Sequence, residues 1–171
     1  SGLSPRENRE IPPLQYDRVY ALKERYPEFT IVINGGITRI DQAREHLECV
    51  DGVMVGREAY QNPWSLAEVD RVLFDDAPNP QSRFDVLEAY KAYMHTELEK
   101  GVPLKRLARH LLGLFQGQPG ARVWRRALSE AAFRSGADLT AIEAAQDRLD
   151  STYRRHAGVV SAPALHAEIR P

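Results

Sequence analysis

Apolar positions along the chain follow two different rules on either side of residue 75. Ahead of it, Thr30-Ile31-Val32-Ile33 and Gly52-Val53-Met54-Val55 are unbroken runs rich in β-branched residues. Such runs predict buried strands of a parallel sheet with helices over both faces. Each strand runs straight into glycine, as Asn34-Gly35-Gly36 and as Gly56-Arg57. Helical spacing surrounds them. Val19 and Leu22 recur on one face from Tyr16 until Tyr26-Pro27 closes that helix. Thr38 with Asp41 three residues on predicts a cap for a helix from roughly Arg39 to Leu47, with Ala43 and Leu47 toward the sheet. Beyond Trp64, a helix to about Phe74 should turn Leu66, Val69 and Leu73 inward. Strand, helix, strand, helix is the repeating unit of an α/β barrel. Ser1 to Pro13 has no period and reads as a loop.

After residue 75 the strand pattern stops. Asp75-Asp76-Ala77-Pro78-Asn79-Pro80-Gln81 is polar and punctuated by proline, as a linker should be. Ser82 can then cap a helix to Lys100, with Phe84, Leu87, Met94 and Leu98 on one face and Gly101 as its stop. Pro103 opens a second, carrying Leu104, Leu107, Leu111 and Leu114 to Phe115. Pro119-Gly120 breaks the chain. A third helix carries Val123, Ala127, Leu128 and Ala131, and Asp138 caps a fourth with Leu139, Ile142 and Leu149 inward, ending near His156. Four amphipathic helices with short connections predict a small bundle. The expected organisation is therefore α/β plus all-α: the last β/α units of a (β/α)8 TIM barrel over 1–76, a linker at 77–81, a four-helix bundle over 82–156, and a flexible tail over 157–171.

Composition narrows this only slightly. A barrel runs to about 250 residues, so 171 residues carrying barrel units and a bundle read as a fragment. The net charge of −1 decides nothing about a polyanionic partner. One cysteine, Cys49, excludes an internal disulfide framework and fits a reducing cytoplasm. It has no His or cation beside it in sequence, so it reads as a packed small residue and not a nucleophile. No apolar run approaches membrane-spanning length. His46, His95, His110, His156 and His166 lack metal-ligand spacing, so no metal site is expected.

Two stretches carry candidate chemistry. Glycine directly after a strand lets backbone approach a ligand closely. Two such turns on neighbouring parallel strands make a cradle of N–H groups, and Arg57 adds a fixed charge with a planar fork for phosphate. That is the layout of the phosphate site after the seventh and eighth strands of a barrel. The second stretch is basic: Lys100, Lys105, Arg106, Arg109, Arg122, Arg125 and Arg126 follow one another with no Asp or Glu between the first and the last. Arg122 and Arg125 share a helix face. The stretch is either a solubilising surface with counter-charges from other helices or a phosphate-contacting patch for a nucleic acid, with Trp124 either a stacking surface or, the preferred reading, in the core.

Four blocks in order bear a resemblance. Gly2-Leu3-Ser4-Pro5-Arg6-Glu7-Asn8-Arg9, Ile33-Asn34-Gly35-Gly36-Ile37, Asp51 to Pro63, and Gly113-Leu114-Phe115-Gln116-Gly117 with Pro119-Gly120-Ala121-Arg122 and Trp124-Arg125-Arg126 resemble tRNA-dihydrouridine synthases of the A type. The resemblance covers roughly residues 2 to 150. It implies an FMN-bearing barrel and a helical tRNA-binding domain that reduce a D-loop uridine to 5,6-dihydrouridine with NADPH. It places Asn34, Gly35, Gly36, Gly56 and Arg57 at the FMN phosphate, and Arg6, Arg9, Arg122 and Arg125 on tRNA. Arg6 stands where the family commonly has Lys, which keeps the charge and adds bidentate geometry.

By the same resemblance, a cysteine general acid, a lysine and a histidine at the flavin belong to barrel strands ahead of Gly2. The chain alone is therefore expected to be inactive, with no catalytic residue of its own, and to need the missing barrel half or self-association to cover its open sheet edges. Two other classes stay open: another FMN- or phosphate-binding barrel oxidoreductase acting on a small molecule, and a stand-alone RNA-binding module.

Overall fold

Residues 2, 4, 7, 13–75 and 82–160 are described by the structure, a computed structural model, with backbone alone for 156–160. The expected linker at 77–81, Arg6 and Arg9, and residues 161–171 of the expected tail lie outside the described residues. The chain divides into two compact units, Ser1–Tyr60 with Ser65–Asn79, and Gln61–Trp64 with Pro80–Pro171. Among the described residues no helix is long and apolar enough to cross a membrane.

The first unit is built on two parallel strands, β1 (Val32–Asn34) and β2 (Gly52–Met54), in the register Val32↔Gly52, Ile33↔Val53, Asn34↔Met54. Both are shorter than the apolar runs predict. Ahead of β1 the Ile31 N–H donates to the Asp51 carboxylate at 2.8 Å, so a side chain takes the place of a ladder bond. The expectation that helices cover both faces is corrected. Ile33 is buried, with half-buried Val53 beside it, against helix α1 (Tyr16–Arg25) and helix α2 (Ile40–Leu47), whereas Val32 and Met54 on the opposite face are 57% and 46% exposed. Alternation along each strand explains the split, since neighbouring residues point to opposite faces.

Several inward positions shift by one residue. In α1, Tyr16, Val19 and Tyr20 pack on the strands while Leu22 is exposed. In α2 the buried set is Ile40, Ala43 and His46, a spacing of three that leaves Leu47 outside. The cap is also displaced: Gln42, not Asp41, closes the entry, its Oε1 accepting from the Thr38 and Arg39 N–H groups at 3.1 Å each. Asp41 instead holds Arg39 through two hydrogen bonds. After helix α3 (Arg57–Gln61) comes a 3-10 segment, Pro63–Glu68, and only then helix α4 (Val69–Leu73). The tighter three-residue turn buries Ala67 and leaves Leu66 exposed, against expectation. Glu7 is helical and exchanges hydrogen bonds with Ser4, so the loop expected over Ser1 to Pro13 does not hold there.

The second unit holds helix α5 (Arg83–Glu99), helix α6 (Leu104–Ala108) continued by a 3-10 turn (Arg109–Leu111), helix α7 (Ala121–Ala132) and helix α8 (Thr140–Val160). Ser82 caps α5, its Oγ accepting from the Asp85 N–H at 3.1 Å. The Asp138 carboxylate accepts from the Thr140 N–H at 3.0 Å where α8 begins. The α8 helix reaches Val160, past the end expected near His156. One core unites the unit: Leu87, Met94, Leu104, Leu107, Leu111, Leu114, Phe115, Leu128, Ile142 and Leu149 are buried around Trp124. Each such large side chain contributes about 1.5–3 kcal/mol of burial. Trp124 stands edge-on to Phe115, with ring centres 5.1 Å apart, and donates from Nε1 to the Leu111 carbonyl at 2.8 Å. Trp124, not Val123, takes the inward position opening α7.

Candidate functional site

The parallel register decides where the glycine turns lie. With Asn34 paired to Met54, Gly35-Gly36 and Val55-Gly56-Arg57 both leave the carboxyl ends of adjacent strands, at the same end of the sheet. Asn34, Gly36, Gly56 and Arg57 are exposed and Gly35 is half-buried. Among the described residues Arg57 forms no ion pair, whereas Arg39 nearby in sequence is held by Asp41. Glycine is needed here for a reason the residues alone do not reveal. Gly35 and Gly36 have φ of +123° and +67°, a region side chains rarely enter. A Cβ on Gly36 would also lie 2.6 Å from Leu14 Cδ1 and 2.8 Å from Tyr16 Oη. The Cβ side of this turn is thus filled by the protein itself. At Gly56 a Cβ would meet only the flexible Met54 side chain, with Sδ at 3.3 Å, which leaves that turn open to an incoming group.

Beneath the first turn lies an aromatic cluster that sequence reasoning missed. The Tyr16 hydroxyl donates to the Gly35 carbonyl at 2.7 Å. Its ring stands edge-on to buried His46, with centres 4.6 Å apart. Tyr20 Oη lies 2.5 Å from His46 Nδ1. Burial pushes the Tyr20 hydroxyl above its usual range. Nothing in local spacing marks Tyr16, because its partner is a backbone carbonyl 19 residues away, in the loop after β1. Cys49 is exposed, which corrects its reading as a packed residue: the helix ends before it and Val50 turns inward instead. It precedes β2, at the opposite end of the strands from the glycine turns.

In the helical unit the basic residues divide. Lys100 pairs with Glu97 at 2.7 Å and Arg126 with Glu130 at 2.7 Å, so for those two the counter-charge comes from the preceding or following turn of the same helix and not from another. Arg122 and Arg125 are exposed and, among the described residues, form no ion pair. They lie three apart on α7, on the surface opposite the buried Trp124, Ala127 and Leu128. In the same unit Gly113 receives the backbone of Gln61: a Cβ there would lie 1.9 Å from the Gln61 carbonyl oxygen. Arg83 stacks over Trp64 at 5.0 Å and donates to the Leu114 carbonyl, which fastens the Gln61–Trp64 segment to this unit.

Comparison with known proteins bears on both turns and helices together. The profile of the family described as Dihydrouridine synthase (Dus) matches residues 2–150. The chain belongs to the dihydrouridine synthase family. Among its relatives, the tRNA-dihydrouridine(20/20a) synthase of Shewanella oneidensis is 56% identical over 144 residues, 84% of this chain and 43% of the relative. The Yersinia pestis protein of the same name is 50% identical over 158 residues, 92% of this chain and 46% of its own. That of Escherichia coli K12 is 54% identical over 143 residues, 84% and 41% respectively. The chain thus spans less than half the length of these curated relatives. The family match includes the strands with their glycine turns and most of the helical unit, Arg122 and Arg125 among them.

Proposed function

We propose that this chain is part of a flavin-dependent tRNA-dihydrouridine synthase, contributing the end of a (β/α)8 barrel and a helical bundle that receives tRNA in the cytoplasm. The observation that carries the reading is the parallel register of β1 and β2, which puts both glycine turns at one end of the sheet. There Asn34 and the N–H groups of Gly35, Gly36 and Gly56 would hold the FMN phosphate, and the Arg57 guanidinium would neutralise it. Bound there, FMN would supply a hydride and a general acid a proton, which together saturate the uracil 5,6 bond, with NADPH as the reductant. Residues of this chain bind and orient: Arg57 fixes the phosphate end, while Arg122 and Arg125, with Arg6 and Arg9, contact the tRNA backbone. The relatives' name supports uridines 20 and 20a as the target.

The general acid is not among these residues. Cys49 stands at the wrong end of β2, so the chain alone should turn over no substrate. Incubated with FMN, NADPH and unmodified tRNA, it is expected to form no dihydrouridine, and accumulation of that product contradicts this part of the reading. Binding of the tRNA is expected, weakening steeply with salt. Replacing Arg122 and Arg125 with alanine should lower the slope of log affinity against log salt by roughly 2, about one per phosphate contact. A slope unchanged by the double substitution favours the rival barrel oxidoreductase, which has no use for the basic surface.

A further inference from the structure

We infer that Tyr16 is a positioning residue for the phosphate-binding turn, its hydroxyl setting which way the Gly35–Gly36 peptide faces. A trans peptide directs its C=O and its N–H to opposite sides. Tyr16 holds the Gly35 oxygen at 2.7 Å, so the Gly36 N–H of that same peptide is directed away from Tyr16. Leu14 occupies the Cβ side of both glycines, and the Tyr16 hydroxyl joins it at Gly36. The N–H is therefore presented on the remaining side, where Gly36 is exposed.

Without such a fastening the peptide has little to hold it. Both flanking residues are glycine at positive φ, +123° and +67°, and glycine accepts the mirror-image wells about as readily. Rotation of the peptide about its two flanking bonds would exchange a donor for an acceptor at the mouth of the turn, replacing an N–H that binds an anion with an oxygen that repels one. The hydroxyl also has a fixed seat. The Tyr16 ring packs edge-on against His46, which is buried and engaged by Tyr20. The chain of contacts runs Tyr20, His46, Tyr16, Gly35, all within the strand unit, and its last link is one hydroxyl.

This inference rests on the flavin-phosphate reading of the turn, and Tyr16→Phe separates the two. The substitution keeps the ring against His46 and removes only the hydroxyl. In nitrogen-15 spectra of the full 171-residue chain, the Gly36 amide should shift or split, and the contact between the Gly35 α-protons and the Gly36 amide should change. The signals of Tyr20 and His46 should stay in place. Titration with FMN, in the Shewanella oneidensis relative carrying residues 1–171 in place of its matching part, should show roughly fivefold to tenfold weaker binding, the loss of one hydrogen bond's worth of orientation. An unchanged Gly36 amide overturns the inference whatever FMN does. A changed amide with unchanged FMN affinity also overturns it, because the hydroxyl is then structural only. A changed amide with no FMN binding by either protein supports the fastening and overturns the flavin reading instead.

Discussion

At Gly113 a single methyl group decides whether two parts of the helical unit can meet. A Cβ would lie 1.9 Å from the Gln61 oxygen and 3.1 Å from Pro63 Cδ, and a backbone carbonyl cannot swing aside as a side-chain end can. Gly113→Ala should therefore destabilise the helical unit by about 3 kcal/mol, the upper range for overpacking. A fall in the urea midpoint of α-helical signal checks it, and an unchanged midpoint contradicts it. The need for glycine at 113 was visible in the sequence only as part of a motif, since its partner Gln61 is far off in the chain. Trp124 was legible, because it stands on the apolar face of a helix with Ala127 and Leu128. Val123 was misplaced for the same reason that Leu47 and Leu22 were: a one-residue error rotates a helical position by about 100°.

Among the elements, the start of the sheet shows what periodicity leaves out. The Asp51 carboxylate accepts from the Ile31 N–H at 2.8 Å and pairs with Lys23 at 2.9 Å, while Lys23 also donates to the Pro27 and Phe29 carbonyls. The Ile31 N–H, and then Lys23, hold the Asp51 carboxyl below its ordinary range. A carboxyl whose folded value is depressed adds stability above its unfolded value and loses that contribution as pH falls through the folded one. Asp51→Asn should thus lower the urea midpoint of the strand unit at neutral pH. The gap from the unsubstituted chain should narrow as pH drops below the usual carboxylate range. A gap of constant size down to strongly acid pH contradicts the assignment. Strands and helices were legible from their runs and faces, whereas this clamp was not, because it joins a loop, a helix end and a strand start that share no local spacing.

For the whole molecule, the change from strands to helices was legible from the loss of strand pattern after residue 75, whereas the grouping of Gln61–Trp64 with the helical unit was not. The one-sided covering of the sheet was not. Unbroken apolar runs say that both faces avoid water, and they do not say which neighbour covers each face. Here helices cover the Ile33 face alone, and Val32 and Met54 face outward on the other. In the proposed barrel that second face is the interior, which the rest of the barrel would cover. The glycine turns were legible as a pair, yet their convergence depended on the register of β1 against β2. The measurement that tests that convergence most directly compares two flavins. Residues 1–171 are grafted in place of the matching part of the Shewanella oneidensis relative, and binding of FMN and of riboflavin is followed by fluorescence quenching. FMN should bind more tightly by roughly ten- to a hundredfold, the worth of charge-assisted hydrogen bonds to its phosphate, and Arg57→Ala should erase much of that margin. Equal affinity for the two flavins, or a margin indifferent to Arg57, contradicts the account.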